Sequence, residues 1–155
     1  MSALLTEILD PRQVSLELRE ATAEEAILEI VELLRDNGQV KDYFRLADAV
    51  MEREGRSSTN TGDGVAFPHA RTALVDQLVL GIGRSKTGIR FGGPNTSVHL
   101  IFLIAVPERM VTDYLVCVGA LARVVKEPAR RRALMDATTA EDLVEQIRSG
   151  ALLLE

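Results

Sequence analysis

Apolar and polar positions along the chain follow helical spacing first, strand spacing in the middle and helical spacing again towards the end. Leu4, Leu5, Ile8 and Leu9 make a short amphipathic turn that Asp10-Pro11 closes, and Val14-Ser15-Leu16-Glu17-Leu18 alternates in the manner of an edge strand. Thr22 and Glu25 form a capping-box pattern ahead of Ile27, Ile30, Val31 and Leu34, whose helical spacing is stopped by Asn37-Gly38. Asp42 then caps a second predicted helix with Phe44, Ala47, Val50 and Met51 on its inner face. That helix runs out at Arg53-Glu54-Gly55.

The period changes in the middle of the chain. Residues 77–84 read as a buried strand, and Ile89-Arg90-Phe91 leads through Gly92-Gly93-Pro94 into a near-continuous apolar run, 98–106, ended by Pro107. A run of that kind predicts a strand covered on both faces. From Val111 the helical period returns, with Leu115, Val118, Leu121, Ala122 and Val125 on one face. Pro128 suits the first turn of a following helix that includes Leu134. Thr138 or Thr139 caps a last helix carrying Leu143 and Ile147, expected to end before Gly150. This order predicts an α/β fold, a single layered domain over residues 1–155 with a mixed β-sheet flanked by helices.

Composition narrows the function. At 155 residues the chain buries roughly 70% of its unfolded surface and needs neither disulfide nor structural metal to fold. A net charge of −5 argues against a general nucleic-acid binder. The opening residues carry Glu7 and Asp10 without a basic start, which is not the pattern of a signal peptide, and the run 100–106 is far too short to span a bilayer. Cys117 cannot form an internal disulfide, and its apolar neighbours Val116 and Val118 point to a buried thiol in a reducing, cytoplasmic setting.

The stretch that carries chemistry is 57–71, SSTNTGDGVAFPHAR. Gly62 and Gly64 supply backbone freedom, and Pro68 biases Phe67 towards an extended conformation, so the imidazole of His69 is presented in a defined direction. With two histidines and one cysteine the chain lacks the ligands of a histidine-cysteine zinc site, and no cofactor is expected. It has no GxxxxGK[ST] loop, no dinucleotide fingerprint and no GxSxG elbow. His99 lies within the apolar strand and reads as a neutral, hydrogen-bonded histidine. Arg53 and Arg71 flank His69 in sequence, and an imidazole that receives a phosphoryl group needs cations to offset the incoming charge.

Met51-Glu52-Arg53-Glu54, Ser58-Thr59 and 62–71, GDGVAFPHAR, together resemble the signature of enzyme IIA domains of the mannitol/fructose class in the phosphoenolpyruvate-dependent sugar phosphotransferase system (PTS), a class that includes nitrogen-regulatory IIA-like proteins. The resemblance extends through Gly88-Ile89-Arg90-Phe91, the strand 98–106 and the helix after Pro107. It implies a mannitol-type IIA fold, phosphorylation of His69 on Nε2, and Arg53 steadying the phosphoryl group, with Thr59 and Arg71 in substrate or partner binding. HPr or its nitrogen-branch paralogue is the implied donor, and a IIB domain or a regulated transporter or kinase the implied recipient. One position departs from the family pattern: where many members place a second active-site histidine just before a leucine, this chain has Tyr114. A phenol donates a hydrogen bond but, with a pKa near 10, does not carry protons as histidine does at neutral pH. Its hydroxyl either reaches the His69 cleft or meets water while the ring covers the helix edge. The alternative function is a non-enzymatic module that regulates a transporter or kinase through its surface.

Overall fold

The computed structural model describes residues 3–93 and 95–153. Its elements are α1 (Ala3–Ile8), a single 3-10 turn (Pro11–Gln13), β1 (Val14–Ser15), α2 (Ala23–Leu33), α3 (Tyr43–Arg56), β2 (Val65–Ala66), β3 (His69–Arg71), β4 (Val79–Arg90), β5 (Ser97–Val106), α4 (Val111–Lys126), α5 (Pro128–Asp136) and α6 (Ala140–Leu153). The sheet runs β1-β4-β5-β2, with β3 also on β5. β4 and β5 pair antiparallel, whereas β1 on β4 and both β2 and β3 on β5 are parallel. The result is the mixed, helix-flanked sheet expected from the pattern.

β5 is buried on both faces because its side chains serve two cores. Phe102, Ile104 and Val106 face α4 and α6 with Leu121, Val124 and Ile147, while Ile101, Leu103 and Ala105 face α2 and α3 with Ile27, Ile30, Leu46 and Val50. Each such large side chain contributes about 1.5–3 kcal/mol by leaving water, and cutting Leu103 to alanine costs about 2–5 kcal/mol through the cavity left behind. α2 sits directly on bare backbone: a Cβ at Gly83 would lie 2.6 Å from Leu18 Cδ1 and 2.8 Å from Ile30 Cδ1.

Local signals set the helix ends. Thr22 caps α2 by accepting from the Glu25 N–H at 3.3 Å, and the Glu25 carboxylate reaches back to the Thr22 hydroxyl, which donates to it at 2.7 Å. Asp42 accepts from the Arg45 N–H, and Thr139, rather than Thr138, caps α6 through the Asp142 N–H.

Five expectations need correction. Phe44 is 60% exposed and stacks on Tyr43, because the buried arc of α3 is centred on Leu46, Ala47 and Val50 and Phe44 lies roughly 110° around the helix from that centre. On α4 the buried residues are Cys117, Ala120, Leu121, Val124 and Val125, so Leu115 and Ala122 are exposed and Val118 is half-buried; the helix is apolar nearly all round, so spacing alone did not fix its face. β1 is an edge strand but only two residues long. The segments 77–84 and 89–91 are largely one strand, β4, continuous through a register shift between Arg84 and Ile89. α6 passes through Gly150, where the missing side chain admits Arg130 and Val124. Pro94, which the sequence placed in the β4–β5 turn, lies outside the described residues.

Candidate functional site

β2 and β3 are two halves of one edge strand. Their partners on β5 keep a constant register, Val65 with Leu100 and His69 with Ile104. In a parallel pair the N–H and C=O of one residue point the same way, and alternate residues point away. Gly64 and Pro68 turn their carbonyls to β5, accepting from the Leu100 and Ile104 N–H groups at 3.1 and 3.0 Å. Pro68 has no N–H to return, so the ladder breaks there. Phe67 faces the other way: its N–H goes to the Thr59 carbonyl at 3.4 Å, and its own carbonyl is left to the His69 ring, 3.0 Å from Nδ1. A carbonyl only accepts, so Nδ1 carries the proton and the lone pair of the neutral imidazole sits on Nε2.

The turn ahead of this strand is held open by Gly62 and Gly64, at φ +92° and +82°. It is pinned by Asn60, which is buried, donating to the Gly92 and Asn95 carbonyls and accepting from the Gly62 N–H. His69 is half-buried at the start of β3, and Arg71, two residues on, shares its side of the strand and is exposed.

His69 opens into a cleft of about 490 Å³ lined by Arg53, Arg56 and Glu52 from α3, Arg71 from β3, and Val111 and Tyr114 from α4. Arg53 donates from Nη1 to the Ser57 carbonyl at 2.8 Å, which fixes the guanidinium at the end of α3. The Tyr114 ring lies 5.1 Å from the His69 ring, tilted by 34°. Burial raises the Tyr114 pKa, and the nearby Arg53 charge pulls it the other way, so the hydroxyl stays a neutral donor at neutral pH. The cleft therefore combines one imidazole with a free Nε2, three guanidinium groups and a phenol. That arrangement suits an anion held against a nucleophilic nitrogen.

Of the residues singled out from sequence, His69, Arg53, Arg71 and Tyr114 come together. Thr59 does not line the cleft: its hydroxyl and N–H both go to the Glu54 carboxylate, at 2.7 and 2.8 Å. His99 is half-buried away from the cleft lining, its Nδ1 donating to the Ser85 carbonyl at 2.8 Å, as expected of a hydrogen-bonded histidine. Cys117 is buried. Sequence reading missed the Phe67 carbonyl, Glu52 and Arg56. Only the last pair left a signal there, an acid and a base four residues apart on one helix. Among the described residues no cluster of metal-ligating side chains forms, and no helix is long and apolar enough to cross a membrane.

Known proteins resemble this chain in sequence and in fold. A fructose-specific PTS EIIA component of Haloferax volcanii is 34% identical over 138 residues, covering 86% of this chain and 90% of that protein. A fructose-specific EIIABC component of Bacillus subtilis is 30% identical over 92% of this chain, which spans only 23% of its length. Among solved structures, nitrogen regulatory protein IIA-Ntr of Neisseria meningitidis superposes with a TM-score of 0.86 at 27% identity, covering 94% of this chain and 99% of that one. Mannitol IIA of Escherichia coli shares the fold, with a TM-score of 0.77 at 22% identity over 90% and 98% of the two chains. The family model for the phosphoenolpyruvate-dependent sugar phosphotransferase system, EIIA 2, matches residues 7–150, and the chain belongs to that family.

Proposed function

We propose that His69 is the phosphoryl acceptor, taking the group from HPr or its nitrogen-branch paralogue and passing it to a IIB domain or using it as a signal. The observation that carries this is the Nδ1 contact to the Phe67 carbonyl inside a cleft with three arginines, because in the neutral ring it places the nucleophilic lone pair on Nε2, beside cations. The Nε2 lone pair attacks phosphorus, the bond to the donor histidine breaks, and its electron pair returns to the donor ring. His69 becomes a phosphorylated imidazolium whose Nδ1–H remains on the Phe67 carbonyl. Onward transfer reverses these changes. Arg53, already held on Ser57, offsets the charge on the phosphoryl oxygens, and the Tyr114 hydroxyl donates to one of them.

A second reading, regulation by binding alone, is favoured by Tyr114, whose ring lies tilted beside His69 where many family members carry a histidine. Both are tested by incubating the full chain with phosphoenolpyruvate, enzyme I and HPr or its paralogue, and following intact mass. The wild type is expected to gain one acid-labile phosphoryl group, and His69→Ala none while keeping its circular dichroism. A phosphorylated His69→Ala protein, or a wild type left unmodified by either carrier, would refute phosphoryl transfer at His69.

A further inference from the structure

Arg56 is one of the three cations of the cleft, but neither it nor Glu52, which lines the cleft beside it, is given a contact to the phosphoryl group above. Resting on that reading, we propose that Arg56 is a second phosphate-binding cation, held in the unphosphorylated protein by Glu52 and exchanged from its carboxylate to the phosphoryl group on His69.

The two arginines differ in how they are held. Arg53 makes a hydrogen bond of 2.8 Å to the Ser57 carbonyl. Arg56 approaches Glu52 only to 3.6 Å, with side chains 70% and 75% exposed, outside the range of a formed N–H···O bond. An exposed pair of this kind is worth about 0–1 kcal/mol, so little opposes its exchange. Arg53 and Arg56 are three residues apart, on one side of the helix. α3 ends at Arg56, and the partial negative charge of its carbonyl end meets the cleft, so an anion there needs cations at this end of the helix.

The charge count leads to the same place. Of the cleft-lining residues, Arg53, Arg56 and Arg71 are cationic and Glu52 is anionic, a net of +2. A phosphoryl group brings about two negative charges at neutral pH. Glu52 therefore lowers the affinity of the cleft for the group, and Arg56 raises it.

Breaking the pair from either side separates this role from a structural one. If the ion pair only stabilised α3, Arg56→Gln and Glu52→Gln would change behaviour in the same direction. If Arg56 binds the phosphoryl group and Glu52 competes for it, they move in opposite directions. Full-length wild type, Arg56→Gln, Arg56→Lys and Glu52→Gln are equilibrated with phosphorylated HPr, and phosphohistidine occupancy is read by intact mass at low and high salt. The expected result is an occupancy ratio lowered about two- to fivefold in Arg56→Gln, close to wild type in Arg56→Lys and raised about twofold in Glu52→Gln, with the differences shrinking as salt rises. Shifts of the same sign in both glutamine variants, or no shift in either, overturn the inference while the role of His69 stands. A wild type that accepts no phosphoryl group overturns both.

Discussion

Cutting Glu54 back to alanine tests how the cleft is built. Its carboxylate accepts from the Thr59 N–H at 2.8 Å and the Thr59 hydroxyl at 2.7 Å, both partly buried, and so ties residue 59 to the last turn of α3. Hydrogen bonds to a charged group contribute about 1.5–3 kcal/mol each, and these two share one carboxylate, so Glu54→Ala is expected to cost about 2–4 kcal/mol. In a chain of this size that is a fall of roughly 5–15 °C in melting temperature. Thr59→Val, which keeps the backbone bond, should lose less. The double variant should lose less than the sum, with a coupling of about 1–2 kcal/mol. Function should fall as well, because the Ser57 carbonyl that holds Arg53 lies on the segment Glu54 anchors. The assays are urea denaturation for the cycle and the rate of phosphorylation by phospho-HPr at a temperature where all variants are folded. Additive single effects, or a Glu54→Ala protein that melts with the wild type, would refute the reasoning.

Tyr114→Phe should slow phosphoryl transfer or shorten the phosphohistidine lifetime by the equivalent of about 1.5–3 kcal/mol, and unchanged kinetics would make Tyr114 scaffold. His99→Ala should leave phosphorylation intact but cost about 1–3 kcal/mol in urea, because the Ser85 carbonyl loses its donor. The Cys117 thiol is pushed from 9.0 up to about 11, first by burial and then by Asp113. A group that holds its proton more tightly when folded contributes stability below about pH 9 that is lost as pH rises towards 11, at most about 2–3 kcal/mol here. Wild type should therefore lose more stability than Cys117→Ala between pH 8 and 11, and parallel profiles would refute the assignment.

The fold was legible where one physical signal dominated. The apolar run of β5 implied a strand covered on both faces, and Thr22 and Asp42 marked helix starts through short-range hydrogen bonds, while the pair Thr138-Thr139 marked a third without showing which of the two caps it. It was not legible where tertiary contacts decide. α4 is apolar nearly all round, so only packing against β5 selects Cys117 and Val124 over Leu115 and Ala122. Likewise, nothing local shows that the strands either side of Lys86 and Thr87 are one. The site was partly readable: Pro68 and the glycines forecast a presented His69. The hydrogen bonds that organise it involve the backbone carbonyls of Ser57 and Phe67, and a carbonyl has no letter in a sequence. Arg84 shows the same limit. It looked like the end of a strand, yet it is buried and donates to the carbonyls of Leu16, Leu134 and Ala137, joining the segment after β1 to the end of α5.

The tautomer of His69 is set by main chain, and this affects which genetic changes the protein tolerates. When a side chain orients a histidine, one codon change removes the orienting group and leaves the rest of the protein in place. Here the acceptor is the carbonyl of Phe67, which every amino acid at position 67 would supply. Substitutions at 67 should therefore register as losses of packing against Phe102, 5.5 Å away, and not as losses of nucleophilicity. Disabling the nitrogen requires moving the backbone itself, and Pro68, whose ring restricts that backbone, is where a single mutation has the best purchase on it. A saturation screen of 57–71 scored separately for abundance and for phosphorylation would then divide into two kinds of position, with 67 among those that fail by instability and 68 and 69 among those that fail while still folded.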